Sequence, residues 1–346
     1  MIPSEFEHQI NGVCYKLRRR QITGAFHSAT TTISLLKTFL ESYKKNYCDW
    51  KDLRSDIIDI GHRLSDAQPL ELAVPNILRR VLFIIRSYSQ QSYVLRPLSI
   101  LSSSKDDQTL PSPKQVHTPI IDKDLAGFCS SLDELETEVT ESYIYIQKQA
   151  QQHIHSNETI LVIGHSTTVF EFLSSSQNFI CKVYVLERAP DYSGHRMANR
   201  LTAKGISVTV VKDSAVAAIM PRINKVIIGT HSVLADGGLL TPSGTGLVAR
   251  IAASFSIPVV CVCASYKISF QYVKDQFVKN VLLSPSVMVS ELGLASSSNV
   301  DIVNPLYEYI PPRFVTLYIT NIGQHNPSEI YRLAGQFFHP EDPNFS

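Results

Sequence analysis

A short polar sequence, Gly164-His165-Ser166-Thr167-Thr168, follows the apolar run at 159–164 and has residue types that could contact a ligand. Small residues after a strand allow an anionic group to approach the free backbone N–H groups at the start of the next helix. The same residues also suit an ordinary tight turn and helix N-cap, which is the interpretation that we favour. A G-x-S-x-G nucleophile elbow is excluded, because its last glycine would fall at Thr168.

A second glycine motif, Gly244-Thr245-Gly246-Leu247-Val248-Ala249, matches the pattern G-x-G-x-x-A. It follows a Gly-rich turn rather than a first strand, and no acidic residue ends a second strand about 20 positions later, as dinucleotide binding requires. We therefore interpret it as a helix N-terminus that glycine permits, and predict no NAD site.

Histidine and cysteine are the remaining candidates for metal or proton chemistry. Five histidines lie near predicted strand ends, but none forms an i, i+4 pair with an intervening glutamate; these are His153, His155, His165, His195 and His231. The six cysteines are scattered and have no zinc-type spacing; they are Cys14, Cys48, Cys129, Cys181, Cys261 and Cys263. We expect reduced, mostly buried thiols, no metal and no cofactor.

The elements that must position these residues fall into two classes. Apolar side chains recur three and four residues apart over 26–43, 53–64, 74–88 and 125–139, which predicts four amphipathic helices. Short β-branched runs that alternate with helical segments then predict a parallel sheet; they lie at 159–164, 181–187, 206–211, 224–229, 257–262 and 316–319. The fold class is α/β, with an N-terminal helical domain (1–152) and a Rossmann-like parallel-sheet C-terminal domain (153–346).

The region 95–119 separates the third and fourth predicted helices. It is rich in Ser, Pro and charge and has no apolar period. We predict a mobile loop there.

Charge excludes some partner classes. The chain has 346 residues, with 32 Lys+Arg against 31 Asp+Glu, a formal net charge of +1. No field of one sign attracts nucleic acid or an anionic membrane nonspecifically, so neither is an expected partner. No apolar run is long enough to span a bilayer, and Glu5 and Glu7 do not suit a secretory signal, so we expect an intracellular protein.

Six segments carry a resemblance to a known family, which extends from about residue 20 to Pro343. They occur in the expected order and are Ala67-Gln68-Pro69, Asn76–Val81, His153–Glu158, Arg222–Thr230, Asn321–Gly323 and Pro327–Leu333. Together they resemble the beta-subunit branch of the alpha, beta and delta regulatory subunits of eukaryotic translation initiation factor 2B. The resemblance implies a helical domain joined to a Rossmann-like domain. It also implies a cytoplasmic, noncatalytic subunit of the guanine nucleotide exchange factor for initiation factor 2, which senses phosphorylation of that factor's alpha subunit.

The same fold occurs in sugar-phosphate isomerases such as methylthioribose-1-phosphate isomerase. In those enzymes a catalytic Cys and a catalytic Asp follow the strands that match 159–164 and 224–229. Here these positions are Gly164 and His231. Because glycine has no side chain to titrate, we expect no isomerase activity.

The resemblance implies partners: the delta, alpha, gamma and epsilon sister subunits and initiation factor 2, mainly its alpha subunit. Residues 121–158 contain eight acidic and two basic side chains. We predict that this strip and the turn after it bind the factor, through Asp122, Asp124, Asp133, Glu134, Glu136, His155 and Asn157. Ordinary solvation of a charged helix face is the alternative.

Aromatic residues near the C-terminus are the candidate subunit interface, because aromatics are enriched at buried contacts. These are Tyr307, Tyr309, Phe314 and Tyr318. Packing within their own domain is the alternative. A second open hypothesis is a module that binds a sugar phosphate or nucleotide in a vestigial pocket, formed by Gly164, His165, Ser166, His231, Gly244 and Gly246.

Overall fold

The computed structural model describes residues 4–43, 49–94, 122–272, 280–288 and 301–345, so the loop predicted at 95–119 lies outside the described residues. Packing divides the chain into two units. The first contains Met1–Glu138 and Phe337–Ser346, and the second contains Val139–Gln336. The predicted boundary at 152/153 therefore differs from the observed one, because the long fourth helix of the prediction contributes to both units and the chain terminus packs with the first.

Helices form the first unit. Their bounds are α1 Ser4–Arg18, α2 Ala25–Tyr43, α3 Trp50–Ala67, α4 Ala73–Val94 and, for its N-terminal part, α5 Asp122–His153. Each buries the face that its apolar spacing predicts, and Asp49 caps α3 by accepting a hydrogen bond from the Lys51 N–H at 3.1 Å. Helix α1 was not predicted, although Phe6, Ile10 and Leu17 have helical spacing and are buried.

The C-terminal segment is held on the first unit by charge pairs. The Asp342 side chain is 0% exposed and accepts hydrogen bonds from Arg54 and Arg86, at 3.1 and 3.0 Å. Arg79 donates to Asn344 and to the carbonyl of His339. Phe345 is buried close to Gly61, where a Cβ atom would lie only 2.5 Å from the Phe345 ring. The last residues of the chain are therefore part of the helical core.

A seven-stranded sheet organises the second unit, in the order β10-β9-β7-β4-β1-β2-β3. All neighbours in this sheet are parallel except β9 and β10. The strands are β1 Glu158–Ile163, β2 Ile180–Leu186, β3 Val208–Val211, β4 Lys225–Gly229, β7 Val259–Val262, β9 Leu317–Thr320 and β10 Gly323–His325. This confirms the predicted α/β class, and the chain reverses its direction of sheet growth between β1 and β4.

A three-stranded antiparallel sheet, which the sequence did not predict, lies in the same unit. It contains β5 Ser232–Val233, β6 Leu239–Pro242 and β8 Tyr307–Ile310, in the order β5-β6-β8. The helices are α6 Thr167–Ser174, α7 Ser193–Ala203, α8 Val216–Ile219, α9 Thr245–Ser254 and α10 Ile330–Phe337. Across the described ranges, the helices are too short or too polar for any of them to cross a bilayer.

The Asp342 contacts generate a stability prediction. Asp342→Asn removes a buried charge that faces two arginines, and should lower the free energy of unfolding of the first unit by about 3 kcal/mol. Glu341→Gln is the control, because Glu341 also pairs with Arg86 but its side chain is 74% exposed, so its loss should cost less than about 1 kcal/mol. Fluorescence of Trp50, the chain's single tryptophan, followed during urea unfolding measures both variants. Equal losses for the two would contradict this account.

Candidate functional site

The carboxyl ends of β1 and β4 are where a sheet of this order normally binds ligands. Gly164 follows β1 in a left-handed conformation, with φ of 59°. A Cβ atom there would lie 2.7 Å from the Arg188 Cδ and 3.0 Å from the Ser193 Oγ. The backbone and its neighbours therefore both favour glycine at this position.

The next two residues have partners within the protein. Ser166 caps α6, with its Oγ 3.4 Å from the Val169 N–H, as the turn-and-cap interpretation predicted. The His165 Nε2 lies 3.0 Å from the Arg200 guanidinium. Burial, followed by the charges of Arg196 and Arg200, lowers the pKa of His165, which therefore stays neutral at pH 7.

His231 is buried beside the small sheet. Its ring stacks on Tyr307 with centroids 4.5 Å apart, and its Nδ1 lies 3.3 Å from the Tyr307 hydroxyl. The histidine is thus packed against β8, and contributes to the core of the unit rather than to a solvent-filled ligand site.

Gly244 and Gly246 form the start of α9, where Gly244 is the N-cap residue with φ of 97°. The Glu308 carboxylate lies at this helix start and accepts a hydrogen bond from the Gly246 N–H at 2.5 Å. Burial raises the pKa of Glu308, while the N–H groups of Gly244–Gly246 and the charge of Arg250 act in the opposite direction. The anion that this helix start favours is therefore supplied by the protein itself.

The structure gives most of the residues predicted for the vestigial pocket other contacts inside the unit. A cavity of about 540 Å³ lies at the carboxyl ends of β1 and β2, and of the six predicted residues only Gly244 lines it. The other five are used for turns, a cap and packing, because each has a partner inside the unit. Within the described ranges, no group of three His, Cys, Asp or Glu side chains is arranged to hold a metal ion.

The aromatic segment has mixed roles. Tyr318 is 0% exposed and donates its hydroxyl hydrogen to the Gly237 carbonyl, so its prediction as an interface residue is wrong: the ring is core of its own unit. Tyr307, Tyr309 and Phe314 are only partly buried. Tyr309 donates to the Asp236 Oδ2 at 2.5 Å, which holds the turn between β5 and β6.

The acidic strip on α5 is partly neutralised within the first unit. Asp133 and Glu136 pair with Lys37 of α2, and Glu138 binds Arg80 of α4 through both carboxylate oxygens, at 3.0 and 2.5 Å. Burial lowers the pKa of Lys37, but its hydrogen bonds with Asp133 and Glu136 outweigh this and raise it overall. Cations on α2 and α4 therefore relieve part of the repulsion along the strip.

Several predicted contact residues remain at the surface. Glu134 is exposed on α5, and Asp124 is partly exposed. His155 and Asn157 are exposed in the turn before β1, where Asn157 has φ of 63°. The Asp122 side chain lies outside the described part of the structure.

Two acidic residues that the sequence did not predict as site residues fix the turns and the helix start near the carboxyl ends of the strands. Glu308 gave no motif signal, because it is distant in sequence from the glycines that it binds. Asp213 accepts the backbone N–H groups of Arg188 and Ala189, at 3.0 and 2.8 Å, and so fixes the turn after β2. The one sequence signal for the role of Asp213 is its position, two residues after the predicted strand at 206–211.

Comparison with known proteins identifies the relatives of this chain. Residues 21–327 match the model of the initiation factor 2 subunit family. The chain is 33% identical, over 366 aligned positions and 94% of both chains, to translation initiation factor eIF2B subunit beta of Dictyostelium discoideum. It superimposes on eIF2B beta from Chaetomium thermophilum with a TM-score of 0.77, at 25% identity over 99% of this chain and 95% of that one.

Two further structures share the fold. The tetrameric eIF2B-beta2-delta2 complex from C. thermophilum matches with a TM-score of 0.72 and 24% identity, over 96% of this chain and 95% of that one. The 5-methylthioribose 1-phosphate isomerase of Pyrococcus horikoshii matches with a TM-score of 0.61 and 14% identity, over 95% and 87%. An identity of 14% shows that the isomerase and this chain share a fold, and it shows nothing about activity.

The Glu308 contact leads to a prediction with two variants. Glu308→Ala leaves the buried Gly246 N–H without its acceptor and should cost about 2 kcal/mol of unfolding free energy, whereas Glu308→Gln keeps an acceptor oxygen and should cost less. Because the folded-state pKa is raised, the protonated carboxyl makes the folded chain more stable than the ionised one does. This increment is complete below the ordinary glutamate pKa and is lost as pH rises through the raised value, while the acceptor oxygen stays in place. Urea unfolding followed by circular dichroism between about pH 4 and pH 7 should show this pH dependence in the natural chain and not in Glu308→Gln. The same slope in both would assign it to another group.

Proposed function

Since this chain belongs to the initiation factor 2 subunit family, we propose that it is a noncatalytic regulatory subunit of the cytoplasmic guanine nucleotide exchange factor for translation initiation factor 2. The observation that carries the proposal is the 33% identity to an eIF2B beta subunit over 94% of both chains. Identity over nearly the full length covers both the helical unit and the sheet unit. The proposal includes sensing of phosphorylation on the alpha subunit of initiation factor 2.

The proposed sister subunits are delta, alpha, gamma and epsilon, of which delta has the strongest support. A solved relative of the same fold is a complex of beta and delta subunits. On this chain the candidate contact is the partly buried set Tyr307, Tyr309 and Phe314 in the second unit. Partly exposed aromatic rings suit such a contact because they bury a large apolar area at low conformational cost.

Absence of isomerase chemistry is the second part of the proposal. Gly164 and His231 stand where the isomerases place their catalytic Cys and Asp. A side chain at position 164 would collide with Arg188 and Ser193, and the His231 ring is stacked on Tyr307. Neither position offers a titratable group that reaches a substrate carbon, so acid–base catalysis lacks its groups here.

Recognition of initiation factor 2 is assigned to the exposed part of the acidic strip. Glu134 on α5, with His155 and Asn157 in the turn before β1, is exposed. Asp133 and Glu136 already pair with Lys37, so their charges are less available to a partner. We place the association-promoting charge mainly at Glu134, facing a basic surface of the alpha subunit of the factor.

Assembly is tested by co-expression. A tagged form of this chain should recover the delta sister subunit in equal molar amounts at both low and high salt, because a contact centred on aromatic rings depends little on ionic strength. Sedimentation gives the mass of the complex. Recovery of the tagged chain alone at low salt would contradict the proposal.

The role of the acidic strip is tested by Glu134→Lys in the assembled exchange complex. Reversal of the exposed Glu134 charge should slow association with unphosphorylated initiation factor 2 several-fold. It should also reduce the dependence of the association rate on salt concentration. Asp133→Asn is the matched control, because its carboxylate is engaged by Lys37, and it should change the rate much less. Stopped-flow kinetics at two ionic strengths measure both variants. Unchanged rates for Glu134→Lys would leave the strip as ordinary solvated surface.

A further inference from the structure

The cavity at the carboxyl ends of β1 and β2 has mainly apolar walls. It measures about 540 Å³ and lies between these strand ends, the start of α9 and the segments 283–288 and 303–306. Its apolar lining includes Ile163, Leu186, Leu247, Val248, Val287 and Met288. A volume of this size matches a small organic molecule.

Solvent reaches several of these walls. The side chain of Leu247 is 50% exposed, and that of Val303, which also lines the cavity, is 66% exposed. A ligand with apolar surface would remove these side chains from water, which is the main source of affinity in such sites.

The charges of the described lining residues do not suit a phosphate. Among the described residues, Arg188 is the cation that lines the cavity. Its guanidinium lies 3.2 Å from the Asp191 carboxylate. The other lining carboxylate, Asp213, accepts two backbone N–H groups, which hold it in position. Two carboxylates against one guanidinium leave a net negative charge, which repels an anion.

The helix start beside the cavity is also closed to anions. Gly244 lines the cavity, but the Glu308 carboxylate lies at the first turn of α9 and accepts the Gly246 N–H. A phosphate would have to displace Glu308 to reach these N–H groups, and would then leave a buried carboxylate without its donor.

We propose that this cavity binds an uncharged, largely apolar small molecule and excludes phosphorylated ligands. The proposal does not rest on the function proposed above, because it follows from the lining and its charges alone. It gives the second unit a binding capacity for a different class of compound from the sugar phosphates of the structurally similar isomerases.

The test uses N-phenyl-1-naphthylamine, a neutral apolar fluorophore, titrated into the full chain. We expect a saturable fluorescence increase with one site per chain. Leu247→Arg should weaken binding at least fivefold, because it places a charge against the apolar wall, and Val303→Arg should do the same at another lining residue. Phe255→Arg is the matched control: Phe255 is 45% exposed just after α9 and does not line the cavity, so the affinity should stay within twofold.

Inorganic phosphate provides the second arm. Millimolar phosphate should leave the thermal unfolding midpoint unchanged relative to chloride of equal ionic strength. Stabilisation by phosphate that Arg188→Ala abolishes would overturn the proposal. Equal fluorophore affinity in the natural chain and in both folded cavity variants, with folding checked by circular dichroism, would overturn it as well.

Discussion

The first turn of α9 presents backbone N–H groups that need an acceptor, and the way this chain satisfies them constrains the whole edge of the second unit. Glu308 on β8 supplies the acceptor, so the three-stranded sheet is attached to the helix start. The same strand carries Tyr307 against His231 and Tyr309 against Asp236. One strand therefore fixes a helix start, a buried histidine and a turn, and its Glu308 supplies the negative group that a helix start favours.

The segments that carry the family resemblance have structural roles that explain their residue types. Glu158 and Lys225 form a mostly buried ion pair, with Nζ–O distances of 3.0 and 3.1 Å, that joins β1 to β4, and Lys225 also donates to the His153 carbonyl at the end of α5. Asn224 extends the same pairing by accepting the Thr159 N–H at 2.9 Å. In the first unit, the buried Arg79 holds the C-terminal segment through Asn344 and His339. These contacts join β1, β4 and α5 within the second unit and hold the C-terminal segment within the first.

In both units, some of the charged and aromatic residues that the sequence predicts as partner contacts instead bind or pack within their own unit. Lys37 and Arg80 neutralise much of the α5 strip, and Tyr318 lies in the core between the main sheet and the turn at Gly237. Of the residues predicted to contact partners, Glu134 in the first unit and His155 and Asn157 in the second are exposed, and Tyr307, Tyr309 and Phe314 are partly buried.

The sequence by itself determined the elements and their class. Apolar spacing located α2 to α5, the β-branched runs located the six parallel strands, and the turn-and-cap interpretation of Ser166 was confirmed, because all of these depend on residues within one turn or one strand. The tertiary structure alone decided the remainder. The contact of Glu308 with Gly246 spans 62 positions, that of Arg54 with Asp342 spans 288, and that of Lys37 with Glu136 spans 99. Such pairs leave no periodic signal in the chain, since only the packing of distant elements brings the two groups together. Two of them, Glu308 with Gly246 and Lys37 with Glu136, engage residues that the sequence had offered as site residues.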